Sequence, residues 1–136
     1  MKDKKVFTKY DCERILKLLN NYKIENPTEN KYIEELKQEI FKSKHVDSKK
    51  INENTVTINS RIVLKNLGTG LQKEYHLAFP DESATEYEKL SILSMIGSQV
   101  LGNKIGTIVK ENSESEKYYI IEKITYQPEA AGDMHL

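Results

Sequence analysis

The chain has 136 residues, 38% of them hydrophobic and 31% charged, and its 21 basic and 21 acidic side chains cancel. That length holds one ordinary domain or two very small ones, and the balanced charge excludes strong sequence-independent nucleic-acid binding by the chain as a whole. The single Cys12 excludes an internal disulfide framework. No run approaches the ~20 apolar residues of a membrane span, and no apolar stretch follows the Lys-rich start as a signal peptide requires, so a cytoplasmic protein is expected.

Thr8 opens the first element, with Asp11 three positions on as in a capping box. Cys12, Ile15, Leu16 and Leu19 then follow the i, i+3, i+4, i+7 spacing of an amphipathic helix, with Leu18 and Tyr22 widening its apolar face. Asn26-Pro27 interrupts it, and Thr28 is placed to cap a second helix with an Ile33, Leu36, Ile40 seam flanked by Tyr32 and Phe41. Two such helices joined by a short break predict an antiparallel hairpin, a short coiled coil, over residues 1–45. Each helix of about 15 residues is roughly 22 Å long.

Residues 43–54 are polar and aperiodic, and a linker is expected over 46–54. From Thr55 the period becomes two: Val56, Ile58, Ser60, Ile62 and Leu64 share one face, Thr57, Asn59, Arg61 and Lys65 the other. Asn66–Gly70 is a turn, and Tyr75, Leu77 and Phe79 alternate in a second strand that Pro80 ends. After an acidic loop at 81–88, a third strand is expected over Leu90–Leu93 and a short helix at Ile96–Leu101, stopped by Gly102-Asn103. Fourth and fifth strands follow at Ile105–Lys110 and Lys117–Tyr126, and the tail from Gln127 is expected to be extended. The fold class is therefore α+β: a helical hairpin over 1–45, then a twisted antiparallel sheet with one short helix over 55–136. The period switch further implies two units with few shared core residues.

Charge and motif searches exclude several chemistries. Residues 1–54 carry 13 basic and 10 acidic side chains, and Lys42, Lys44, Lys49 and Lys50 surround His45; a solvated linker accounts for this cluster. His45, His76 and His135 lack the Asp, Glu or Cys spacing of a metal site or a catalytic triad, and no Gly-rich phosphate loop or nucleophile motif is present, so neither metal nor cofactor is expected. Glu25 and Glu29 lie at the hairpin tip. Paired carboxylates there could hold Mg²⁺, although acids at a helix start also serve the macrodipole.

Three segments carry a resemblance. Val56-Thr57-Ile58-Asn59-Ser60-Arg61-Ile62 is similar to the V-T-M-N-S-R-V run that opens the C-terminal domain of the Gre transcript-cleavage factors. Ser91–Gly102 resembles their S-x-x-S-P-x-G-x-x-L-L-G segment. Tyr126–Asp133 reads Y-Q-P-E-A-A-G-D, the tail of their Rnk-type relatives. The resemblance covers about residues 50–136 and reaches the hairpin only in outline.

The resemblance implies an FKBP-like β domain that docks at the rim of the RNA polymerase secondary channel, with the helical arm pointing inward. In Gre factors the arm tip carries acids that help hold a catalytic magnesium; Rnk-type arms are shorter and do not stimulate cleavage. Here Thr28-Glu29-Asn30-Lys31-Tyr32 only partly matches the Gre tip, because Glu25-Asn26-Pro27 stands where the aspartate belongs. The docking contact is expected at Leu93, Ser94, Met95, Ile96 and Gly97, with Met95 replacing the usual proline and Leu93 the aspartate of some Gre factors. The expectation is a monomeric polymerase-binding transcription regulator that competes with cleavage factors and has no catalytic activity of its own. The alternative is a cleavage factor using Glu25 and Glu29.

Overall fold

The computed structural model describes residues 5–21, 27–80, 88–112, 114–134 and 136, with residues 27–30 and 32 placed by backbone alone. Glu25, Tyr22, residues 81–87 and His135 lie outside the described residues, as do the side chains of Thr28, Glu29 and Tyr32.

Strand β1 (Val6–Thr8) runs directly into α1 (Lys9–Asn21). Thr8 caps that helix: its Oγ1 accepts the Asp11 backbone N–H at 2.9 Å, satisfying one of the helix's orphan donors. Helix α2 (Pro27–Lys42) starts one residue before the expected cap, with proline in the first turn, where its missing N–H costs nothing. Cys12, Ile15 and Leu19 of α1 and Ile33, Leu36 and Ile40 of α2 are buried, and the two helices pack against each other through them. Phe41 points away, 70% exposed.

The segment expected as the end of the hairpin and a linker is partly ordered. Strand β2 (Lys44–Val46) pairs in parallel with β1, and a single 3-10 turn occupies Ser48–Lys50. Lys42, Lys44, His45, Lys49 and Lys50 are all exposed, and His45 Nε2 lies 2.7 Å from the Ile40 carbonyl oxygen.

The sheet has five strands in the order β5-β4-β3-β7-β6: β3 (Arg61–Asn66), β4 (Gln72–Ala78), β5 (Glu88–Ser91), β6 (Ile108–Lys110) and β7 (Tyr118–Tyr126). It is mixed, because β5 pairs with β4 in parallel while the other pairs are antiparallel. The third strand thus lies two residues earlier than the alternation suggested, and the fourth is shortened by the Lys104–Thr107 turn, where Gly106 sits at φ 93°.

The largest departure is at residues 55–60. Thr55 bridges to Lys104, but Val56–Ser60 form no ladder. All six residues are buried, including Thr57 and Asn59, which the period-two reading had assigned to the wet face. A turn replaces the strand: the Thr57 backbone N–H donates to Ser60 Oγ at 3.0 Å, and Asn59 adopts φ 70°, a left-handed conformation that Asn tolerates better than most residues. The Asn59 N–H then donates to the Leu77 carbonyl at 2.7 Å, clamping the turn on β4.

The tail is not extended either. Gln127 precedes a helical turn, α4 (Pro128–Ala131), with Pro at its start and Gly132 in the left-handed cap at φ 85°. Short helix α3 (Met95–Val100) lies between β5 and β6. The two halves do not have separate cores. Phe7, Ile15 and Ile40 belong to the same buried cluster as Val56, Ile58, Ile62, Leu77, Leu101 and Ile121.

Candidate functional site

The segment expected to dock lies at the end of edge strand β5, where the chain turns into α3. Its geometry follows from a few polar side chains. Ile92 is fully buried and anchors the turn, and its N–H donates to the Ala78 carbonyl at 3.0 Å. Ser94 takes the N-cap conformation, φ −72° and ψ 160°. Its hydroxyl donates to the Ser91 carbonyl at 2.7 Å and accepts the Gly97 N–H at 3.0 Å. The Leu93 N–H donates to Ser91 Oγ at 3.1 Å. Gly97 is buried, and a Cβ there would lie 1.8 Å from the Ser91 carbonyl oxygen, so only glycine lets α3 approach the strand end so closely.

The far side of α3 is tied down by Gln99. Its side-chain amide donates to the Lys110 carbonyl at 2.7 Å and accepts the Lys110 N–H at 3.0 Å. That pairing occupies the open edge of β6 as a neighbouring strand would. Leu93 and Ile96 are partly buried against the core, while Ser94 and Met95 are half-buried. The five residues therefore do sit together, on a rigid turn, and Ser91–Val100 contains no charged side chain. The two faces of the turn are shared between core and solvent rather than forming a freely exposed apolar patch.

The tip acids are a different matter: Glu25 lies outside the described residues, and only the backbone of Glu29 is placed. Among the described residues no group of three or more His, Cys, Asp or Glu could hold a metal ion, and no helix is long and apolar enough to cross a membrane.

Sequence reasoning missed a polar cluster at the junction of arm and sheet. The Asp11 carboxylate, 1% exposed, does more than close the capping box. Its Oδ2 accepts the Ile58 N–H at 3.0 Å and its Oδ1 the Arg14 guanidinium at 2.7 Å. The Arg14 guanidinium lies over the rings of Tyr10 and Phe79, 4.1 and 5.4 Å from their centroids. Glu129, also buried, accepts the Thr57 hydroxyl proton at 2.7 Å. Gln127 donates to the carbonyls of Asn52 and Thr55 at 2.8 and 2.7 Å, and Tyr126 donates to Asp133. The Y-Q-P-E-A-A-G-D tail is thus a strap across residues 52–57. Burial, opposed by the hydrogen bonds from Arg14 and Ile58, leaves the Asp11 carboxyl above its usual range; burial, opposed by the bond from Thr57, does the same to Glu129. Burial and the bond to Asp133 push the Tyr126 phenol up to about 12. A signal for the strap was present, in the Pro and Gly that punctuate α4, but four residues are too few for a helical period.

Comparison with known proteins agrees with this geometry. The profile of the family described as "Transcription elongation factor, GreA/GreB, C-term" matches residues 51–126. A transcription elongation factor GreA of Thermodesulfovibrio yellowstonii is 31% identical over 91 residues, 65% of this chain and 58% of that protein. A regulator of nucleoside diphosphate kinase of Escherichia coli K12 is 27% identical over 100 residues, 72% of this chain and 74% of that protein. The chain spans about half the length of the GreA relatives it matches, between 48% and 58%. A solved GreA/GreB structure from Nitrosomonas europaea superposes with a TM-score of 0.74 at 26% identity, covering 92% of this chain and 100% of that one. With the matched region running from the strapped segment at residue 51 through the last strand, the chain belongs to the GreA/GreB transcription elongation factor family, by its C-terminal domain.

Proposed function

We propose that this chain is an RNA polymerase-binding regulator that docks at the secondary channel through the β5–α3 turn and competes there with cleavage factors, without promoting cleavage itself. The observation that carries the reading is the family match over residues 51–126, which includes the whole docking turn. The arm supports the non-cleaving part. Its helices have 13 and 16 residues, so at 1.5 Å per residue it extends only about 20–24 Å. A second-metal mechanism needs oxygen ligands at about 2.0–2.1 Å from Mg²⁺, and an arm that stops short of the active site gives no part of that effect. Channel occupancy has no such requirement. The turn at Leu93, Ser94, Met95, Ile96 and Gly97 carries no charged side chain, as the core of a protein–protein contact favours.

The test is a backtracked elongation complex supplied with this protein, with and without a genuine cleavage factor. The expected result is reduced cleavage by the factor and none by this protein alone. Stimulated cleavage that disappears in a Glu25→Ala, Glu29→Ala double variant would overturn the proposal in favour of the cleavage-factor reading.

A further inference from the structure

Beyond the shared hydrophobic core, polar contacts tie the arm to the β domain at separated places, among them the Lys5 ammonium, which donates to Glu39 of α2 and to the Ser98 carbonyl of α3. On one side of the arm's base, the Val6 N–H donates to the Gly102 carbonyl at 3.0 Å, and Phe7 packs on Gly102, whose added Cβ would lie 3.0 Å from the ring. A further tie is the Asp11 carboxylate, in the first turn of α1, which reaches the Ile58 N–H. That donor is fixed in space. Ile58 lies in the buried Val56–Ser60 segment, held by the Thr57–Ser60 bond, by Asn59 N–H to Leu77 and by Leu77 N–H to the Ser60 carbonyl at 2.9 Å. No ladder uses its N–H, so the carboxylate is what satisfies it. The acceptor is fixed too, because Arg14 holds the other oxygen while its guanidinium lies against Tyr10 and Phe79.

We infer that Asp11 is a positioning residue. It locks the helical arm onto the β domain in one orientation, so that docking of the turn delivers an arm already aimed into the channel. The inference rests on the proposed function for its consequence but not for its geometry. A charged tie away from the Val6–Gly102 contact adds to the shared core in fixing a direction, and an arm aimed in advance does not lose that ordering entropy on binding. A buried carboxylate is a costly way to cap a helix that Thr8 already caps, and its reach to Ile58 is what the junction gains from it.

The experiment places spin labels on Lys31→Cys in α2 and Lys123→Cys in β7, both exposed positions, in a Cys12→Ala background of the full chain. Double electron–electron resonance then reads the arm-to-sheet distance in free protein. One narrow distance is expected with Asp11 present. Asp11→Asn keeps an oxygen for Ile58 and is expected to keep the single distance. Asp11→Ala is expected to broaden it with the β domain still folded, and Asp11→Ser, too short to reach Ile58, carries the same expectation if the alanine variant does not fold. An unshifted single distance in a folded Ala or Ser variant overturns the inference; so does failure of both variants to fold, which would make Asp11 a stability residue only. With polymerase, the broadened variant is expected to bind more weakly than the wild type and to lose its effect on factor-dependent cleavage. Absence of polymerase binding by the wild-type chain would instead refute the proposed function and leave the distance result standing.

Discussion

Gly97→Ala is the most demanding perturbation of the β5–α3 turn. Alanine is ordinarily favoured over glycine inside a helix by about 0.8–1 kcal/mol, so propensity alone predicts stabilisation. The structure predicts the reverse. The new Cβ would stand 1.8 Å from the Ser91 carbonyl oxygen and 2.8 Å from both the Ser91 carbonyl carbon and Ser94 Oγ. The nearest atoms are backbone, so relief requires α3 to move away from the end of β5 by more than an ångström. Overpacking of this kind costs about 1–3 kcal/mol. The displacement also breaks the Ser94 hydroxyl bond to Ser91 and the Ser94 N–H bond to the same carbonyl, each worth about 1 kcal/mol. Set against the propensity gain, the net loss is about 2–4 kcal/mol. Urea denaturation followed by far-ultraviolet circular dichroism measures it directly. For a chain of this size the melting temperature should fall by roughly 5–15 °C. A variant as stable as the wild type, or more stable, refutes the close approach of helix and strand.

Three further outcomes follow from the same contacts. Met95→Asp places a carboxylate at the first position of α3, half-exposed and at the favourable end of the helix dipole; the fold should survive while polymerase binding weakens, and unchanged binding with an intact fold would remove the turn from the interface. Glu129→Gln keeps an acceptor for Thr57 but removes a carboxyl whose folded pKa is raised, first by burial. A raised acid stabilises the fold below its unfolded pKa and loses that contribution as pH rises through the folded value, so the wild type should lose stability upward from the ordinary carboxyl range and the variant should lose less; identical pH profiles in denaturant titrations would contradict this. A fragment beginning at Asn52 lacks Phe7, Asp11, Ile15 and Ile40 from the shared core and should melt below the full chain, whereas an equal melting temperature would show the two halves to be energetically independent.

Much of this architecture could be read before the structure. The Cys12, Ile15, Leu19 and Ile33, Leu36, Ile40 stripes are the buried faces of α1 and α2, because a sustained helical period reports burial directly. The turn at Ser91–Gly97 was placed through its resemblance to a known segment, and its Ser94 cap is also a local signal. What escaped was set by distant partners. Strands β1 and β2 have three residues each and pair across 38 positions of chain, Val6 with Lys44, so neither shows a period. The parallel pairing of β5 with β4 is likewise a matter of topology, not of pattern. Val56–Ser60 imitated a strand because alternate residues are apolar, yet Thr57 and Asn59 are buried by the strap and by β4. Asp11 looked like an ordinary helix-start acid and Glu129 lay in a tail expected to be extended, and only the fold shows them meeting the two neighbours Ile58 and Thr57.

The most direct test of the account is a binding titration of the fluorescently labelled full chain against core RNA polymerase, followed by competition with an unlabelled Gre cleavage factor. The account predicts saturable binding and complete displacement by the factor, since both are held to use one site. No binding, or binding that an excess of the factor leaves undisturbed, would contradict it.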